Sequence, residues 1–159
     1  MTEDAKFEDG GDTPLRLLAV DADDLGVIAA LTQDAVFPGD EMAWYPKDRE
    51  FALLLNRFRW EDSEVAQKRG RPVERVQSVL LFGDVQKVQS QGVERRDGDT
   101  IMSLLSITFE PGEDGTGRVI LTLAGDGAIA LDVETINARL QDVTRPYLAP
   151  SRKTPDHPE

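Results

Sequence analysis

The hydrophobic positions along this chain repeat with two different periods. Leu15, Leu17, Leu18 and Val20 form a short apolar run that suits a strand. Asp21 then stands where a helix N-cap belongs, with Asp23 and Asp24 near the positive end of the helix dipole. Leu25, Ile28, Ala29 and Thr32 follow at helical spacing, and Pro38-Gly39 closes the segment. From there the period falls to two. Glu41 to Tyr45 reads as a short strand. Phe51 to Trp60 reads as a stronger one, with apolar residues on both faces at its start, and Glu61 to Pro72 as a charged loop. Val73 to Gln91 is a long β-rich run, bent near Gly83; Ile101 to Glu110 and Val119 to Leu123 alternate clearly. Gly125-Asp126-Gly127 is a hairpin signal leading into Ala128 to Asp132. Val133, Ile136, Leu140 and Val143 fall three or four residues apart, which predicts a closing amphipathic helix with Glu134, Arg139 and Gln141 outside.

These elements predict an α+β domain. Its bent antiparallel sheet or open roll has six to seven strands, with an N-terminal helix after the first strand and a C-terminal capping helix. At 159 residues one domain is expected, over residues 14–148. Residues 1–13 carry Glu3, Asp4, Glu8, Asp9 and Asp12 against Lys6 and read as a disordered acidic tail. Residues 149–159 read as a disordered Pro-rich tail.

Composition narrows the chemistry. The net charge of −12 disfavours broad binding to polyanions such as nucleic acid or anionic lipid. The absence of cysteine removes disulfides, thiolate metal sites and a cysteine nucleophile. No membrane span and no signal-peptide core is visible, so no membrane association is expected. The only histidine, His157, lies among prolines in the tail, where nothing holds it within reach of a proton. Asp21, Asp23 and Asp24 lack the spacing of a calcium loop and suit helix capping instead. The glycines at 125 and 127 precede a strand, where phosphate loops need a helix N-terminus. No catalytic residue, metal site or cofactor is therefore expected.

Candidate binding residues remain. Arg57 and Arg59 stand on one face of the strand that ends at Trp60, a pair suited to bidentate recognition of carboxylate or phosphate. Phe58 and Trp60 lie on the other face, as a stacking surface would require. The plainer alternative has the arginines pairing with Glu61, Asp62 or Glu74 and the aromatics in the core. Trp44 and Tyr45 are a pair of the type enriched at interfaces, with packing in the core as the more frequent alternative.

Three runs carry a family resemblance: Phe51-Ala52-Leu53-Leu54-Leu55-Asn56-Arg57-Phe58-Arg59-Trp60-Glu61, Ser103-Leu104-Leu105-Ser106-Ile107-Thr108-Phe109, and Ala124-Gly125-Asp126-Gly127-Ala128-Ile129-Ala130-Leu131-Asp132-Val133-Glu134. Together they resemble the bacterial domain of unknown function 2948 family over about Leu15 to Pro146. At Ala130 this chain departs from the basic residue of the family pattern, which argues against an anion contact at the hairpin. The resemblance implies a small soluble cytoplasmic protein of alpha-proteobacteria and implies no activity. The closing pattern of strand, tight turn, strand and helix separately resembles pleckstrin-homology-like folds.

The first expectation for function is a non-enzymatic binding or interaction module with a protein partner or self-association. Arg57, Arg59, Trp44, Tyr45 and Trp60 are its candidate residues. The alternatives are a small-molecule sensor or enzyme using carboxylates and arginines, and a weak nucleic-acid binder.

Overall fold

The computed structural model describes residues 14–93 and 100–147. The tails at 1–13 and 149–159, and His157 with them, lie outside the described residues. In chain order the elements are β1 (Arg16–Ala19), α1 (Ala22–Leu31), β2 (Val36–Pro38), β3 (Met42–Tyr45), β4 (Glu50–Phe58) and α2 (Ser63–Lys68), then β5 (Arg75–Phe82), β6 (Val85–Gln91), β7 (Ile101–Pro111), β8 (Gly117–Leu123), β9 (Gly127–Val133) and β10 (Ala138–Asp142). Ten strands form one sheet in the order β1-β10-β5-β4-β2-β7-β8-β9-β6, with β3 paired to the first half of β4. Every pairing is antiparallel.

Alternation explains how this sheet makes a core. On β4 the inward row is Phe51, Leu53, Leu55 and Arg57, matched on β5 by Val76, Ser78, Leu80 and Phe82. Of these, Phe51, Leu53, Leu55, Leu80 and Phe82 share one apolar cluster with Leu104, Ile107, Val119, Leu121, Ile129 and Leu131 from the other half of the sheet. The sheet therefore curls so that its two halves face each other. The Val85 amide donates to the Arg49 carbonyl at 2.9 Å, bringing the start of β6 back to the β3–β4 turn. Leu25 and Ile28 of α1 enter the same core.

The α+β expectation is overturned. The described residues are mostly antiparallel sheet with two short helices, and their ten strands replace the expected six or seven. Among the described residues there is no C-terminal helix: the segment read as one holds β10, so the pleckstrin-homology-like closure is not seen there either. Ala138, Leu140 and Asp142 are buried while Arg139 and Gln141 are exposed, a period of two. A buried aspartate at position 142 hid that period, because it broke the apolar row. The run from Val73 to Gln91 is two strands. Gly83 and Asp84 turn the chain between them, with Asp84 at φ 54°. The Gly83 amide donates to the Asn137 carbonyl at 2.7 Å, and a Cβ on Gly83 would lie 2.7 Å from the Asn137 amide nitrogen. The loop predicted at 61–72 contains a turn at Trp60–Asp62 and α2.

Asp21 caps α1: its carboxylate accepts from the Asp24 amide at 2.7 Å. Asp21→Ala should lower stability by about 1 kcal/mol. A thermal melt checks this, and no change would mean that the cap is replaced by solvent. At the last hairpin, Gly125 and Asp126 adopt φ of 80° and 67°, the left-handed conformation that its turn demands.

Candidate functional site

β4 carries Arg57 into the interior, where its side chain is fully buried. A guanidinium there must have every donor met. Glu61, one turn further on, takes both terminal nitrogens in a bidentate pair, each at 2.9 Å. Asp142 of β10 accepts from Nη2 at 2.9 Å and from Nε at 3.3 Å, while the Ser78 hydroxyl of β5 accepts from Nε at 3.0 Å. The Phe58 carbonyl accepts from Nη1 at 3.1 Å. Ser78 in turn donates to Asp142 at 2.7 Å, and the other Asp142 oxygen accepts from the Leu15 amide at 2.9 Å. Burial works against the charge on Arg57, yet Glu61 and then Asp142 more than offset it, so its pKa is raised above an already high value. The group stays charged, and its donors are all committed.

Arg59 is also buried, at 4 % exposure. It donates to Glu74 at 2.7 Å and lies 3.5 Å from Asp62. Arg71 joins from the far side, donating to Asp62 at 2.8 Å. The two arginines singled out in the sequence are thus brought together in one internal network, with carboxylates of the neighbourhood as partners. Neither presents a surface to a phosphate or a carboxylate outside the chain. Sequence reasoning named Glu61, Asp62 and Glu74 but missed Ser78 and Asp142. The signal was present: Arg57 breaks the apolar row of β4, and Asp142 breaks that of β10.

Trp44 and Tyr45 point to opposite faces, as neighbours on a strand must. Trp44 pairs with the buried Phe51 and lines an inner cleft of ≈ 190 Å³ with Gly39, Met42 and Phe51. That is below the roughly 300–1,000 Å³ of small-molecule sites, and its described lining holds no ionisable side chain. Tyr45 is on the outside, 49 % exposed. Trp60 is half-buried, its indole N–H donates to the Gln33 carbonyl at 2.8 Å, and its ring centroid is 5.3 Å from that of Phe58. Phe58, Ala66 and Val73 make a small separate core there, so α2 covers only that end of the outer sheet face.

The remaining outer face belongs to β3, β4, β5, β10 and β1. Its registered rows are Ala43, Ala52, Leu81, Arg139 and Leu18, then Leu54, Val79, Gln141 and Arg16. Ala52, Leu54, Val79 and Leu81 are half-buried and Leu18 is 58 % exposed. Among the described residues no helix lies over these rows: α1 contacts β1, β7 and the Trp60–Asp62 turn and buries its apolar side in the core. No cluster of three or more metal-ligating side chains occurs among the described residues, and no helix of theirs is long and apolar enough to cross a membrane.

A search of curated proteins finds no match to this chain, and neither does a search of solved structures. One family model does match, over residues 15–157, nearly the whole length. The chain belongs to the family described as protein of unknown function (DUF2948).

Proposed function

We propose that this chain is a non-enzymatic binding module that meets a protein partner through the outer face of the β3-β4-β5-β10-β1 half of its sheet. One observation carries the reading: an apolar patch of Ala52, Leu54, Val79 and Leu81, with Leu18 beyond Arg139, faces outward with no described element packed over it. Sheets normally bury one such face against another layer, and exposed apolar patches mark interaction sites. The charged side chains of the neighbourhood support the same reading from the other side. Arg57, Arg59 and Arg71 are engaged with Glu61, Asp62, Glu74 and Asp142, so they hold the sheet's shape. Of the candidate residues, Tyr45 and Trp60 border the face, Arg57 and Arg59 brace it from within, and Trp44 backs it from the core side.

Site-specific photocrosslinking in the cells that make the protein tests this. A benzoylphenylalanine at Leu81 or Tyr45 should give a discrete protein adduct, and one at the exposed Arg118 of β8 should not. Silence at both outer positions, or equal labelling at Arg118, would contradict the reading.

A further inference from the structure

The charge on this face opposes the charge of the chain. By strand register the outward side chains of β1, β10, β5, β4 and β3 include three arginines, Arg16, Arg75 and Arg139, and one carboxylate, Glu50. The whole chain carries −12. Arg16 and Arg139 are exposed and make no ion pair among the described residues. They are diagonal neighbours, since Arg16 registers with Gln141 two residues beyond Arg139, which puts their Cα atoms roughly 7–8 Å apart. Two like charges so placed repel, and an anion between them relieves that cost. Arg75 lies at the other end with its guanidinium 4.3 Å from the Phe58 ring centroid, its Nε buried without a hydrogen-bond partner. Between these ends lie Ala52, Leu54, Val79 and Leu81.

We propose that this face docks an acidic amphipathic helix from a partner protein. This rests on the reading of the face as a contact surface and adds the chemistry of what it contacts. The apolar side of such a helix covers Leu54, Val79, Leu81 and Leu18, and carboxylates along its flanks meet Arg16 and Arg139. Size agrees: five strands about 4.8 Å apart span about 19 Å, the length of roughly 13 helical residues. The distant acids of the chain do not forbid it, because exposed charges beyond about 8 Å are largely screened at physiological salt.

The test uses the full chain and two fluorescein-labelled 16-residue peptides followed by anisotropy. Both carry Leu at i, i+3, i+4 and i+7; the other positions are mostly Glu in one and mostly Lys in the second. The Glu peptide should bind at least tenfold more tightly than the Lys peptide, and Arg16→Glu with Arg139→Glu should abolish or reverse that order. Should the reversal variant melt early, Arg16→Gln with Arg139→Gln carries the same test with a smaller loss. Equal binding of both peptides, or an unchanged preference in the variants, overturns the proposal. So does a dimer in light scattering that Arg16→Glu dissociates, which assigns the face to a second copy. Glu-peptide binding seen only after deletion of residues 1–13 assigns it to the chain's own acidic start, and also overturns the proposal. Failure of the Glu peptide while Leu81 still crosslinks to a protein defeats this inference and leaves the contact surface standing.

Discussion

Asp142→Ala should lower the stability of this protein by about 3 kcal/mol or more, because it takes from a fully buried guanidinium the more buried of its two carboxylates. At this size, roughly 4 °C per kcal/mol makes that a fall of about 12 °C or more in melting temperature. The loss has three parts. Arg57 loses the partner at 2.9 Å, Ser78 loses the acceptor at 2.7 Å, and the Leu15 amide loses the carboxylate that ties it to β10. Glu61 remains, but it is partly exposed and sits on the other terminal edge of the guanidinium. The companion experiment is Arg57→Met with Asp142→Leu. Removing both charges deletes the desolvation cost together with the attraction, so the double variant should recover most of the stability lost by the single one. Denaturant titration of the four species gives the coupling. A single variant that melts like the parent would mean that Arg57 is not enclosed.

Leu80→Ala should cost about 2–5 kcal/mol; Leu81→Ala, its neighbour, should cost under about 1 kcal/mol. Leu80 is 0 % exposed and registers with Leu53 on one side and Leu140 on the other. Truncation there opens a cavity in the shared core. Leu81 registers with Ala52 and Arg139 on the outer face, where water already reaches it. The same contrast should hold between Leu53→Ala and Leu54→Ala. A large loss at Leu81 or Leu54 would mean that another part of the chain covers the face, and the contact-surface reading would fail with it.

Much of the strand content was legible because alternation is a local signal. Ile101 to Glu110, Val119 to Leu123 and the Gly125-Asp126-Gly127 hairpin read directly from side-chain period and turn chemistry. Fold class was not legible, and the reason is specific. Ile136 and Leu140 sit four residues apart, which fits a helix; Ala138, Leu140 and Asp142 sit two apart, which fits a strand. Choosing between them requires knowing that an aspartate can hold a core position, and that depends on Arg57, 85 residues away in sequence. The same long-range dependence hid the site. Arg57 and Arg59 side by side on a strand suggest a ligand, until the fold delivers Asp142, Ser78, Glu61 and Glu74 to their donors. Tyr45 was legible as exposed only once β3 was placed against β4, and Trp44, one residue earlier, turned the other way. The outer row of β4 and β5 could not be read as uncovered, since apolar residues on both faces of a strand ordinarily mean burial on both.

One face of this half-sheet is core and the other is open to contact. The chain has no cysteine, so single cysteines placed at 80 and 81 report on each face without background. Their reaction with a thiol reagent is followed under native conditions. Leu81→Cys should react within about tenfold of a free thiol, whereas Leu80→Cys should react only through global opening, slower by about 10³-fold or more. Equal protection at the two positions would contradict it.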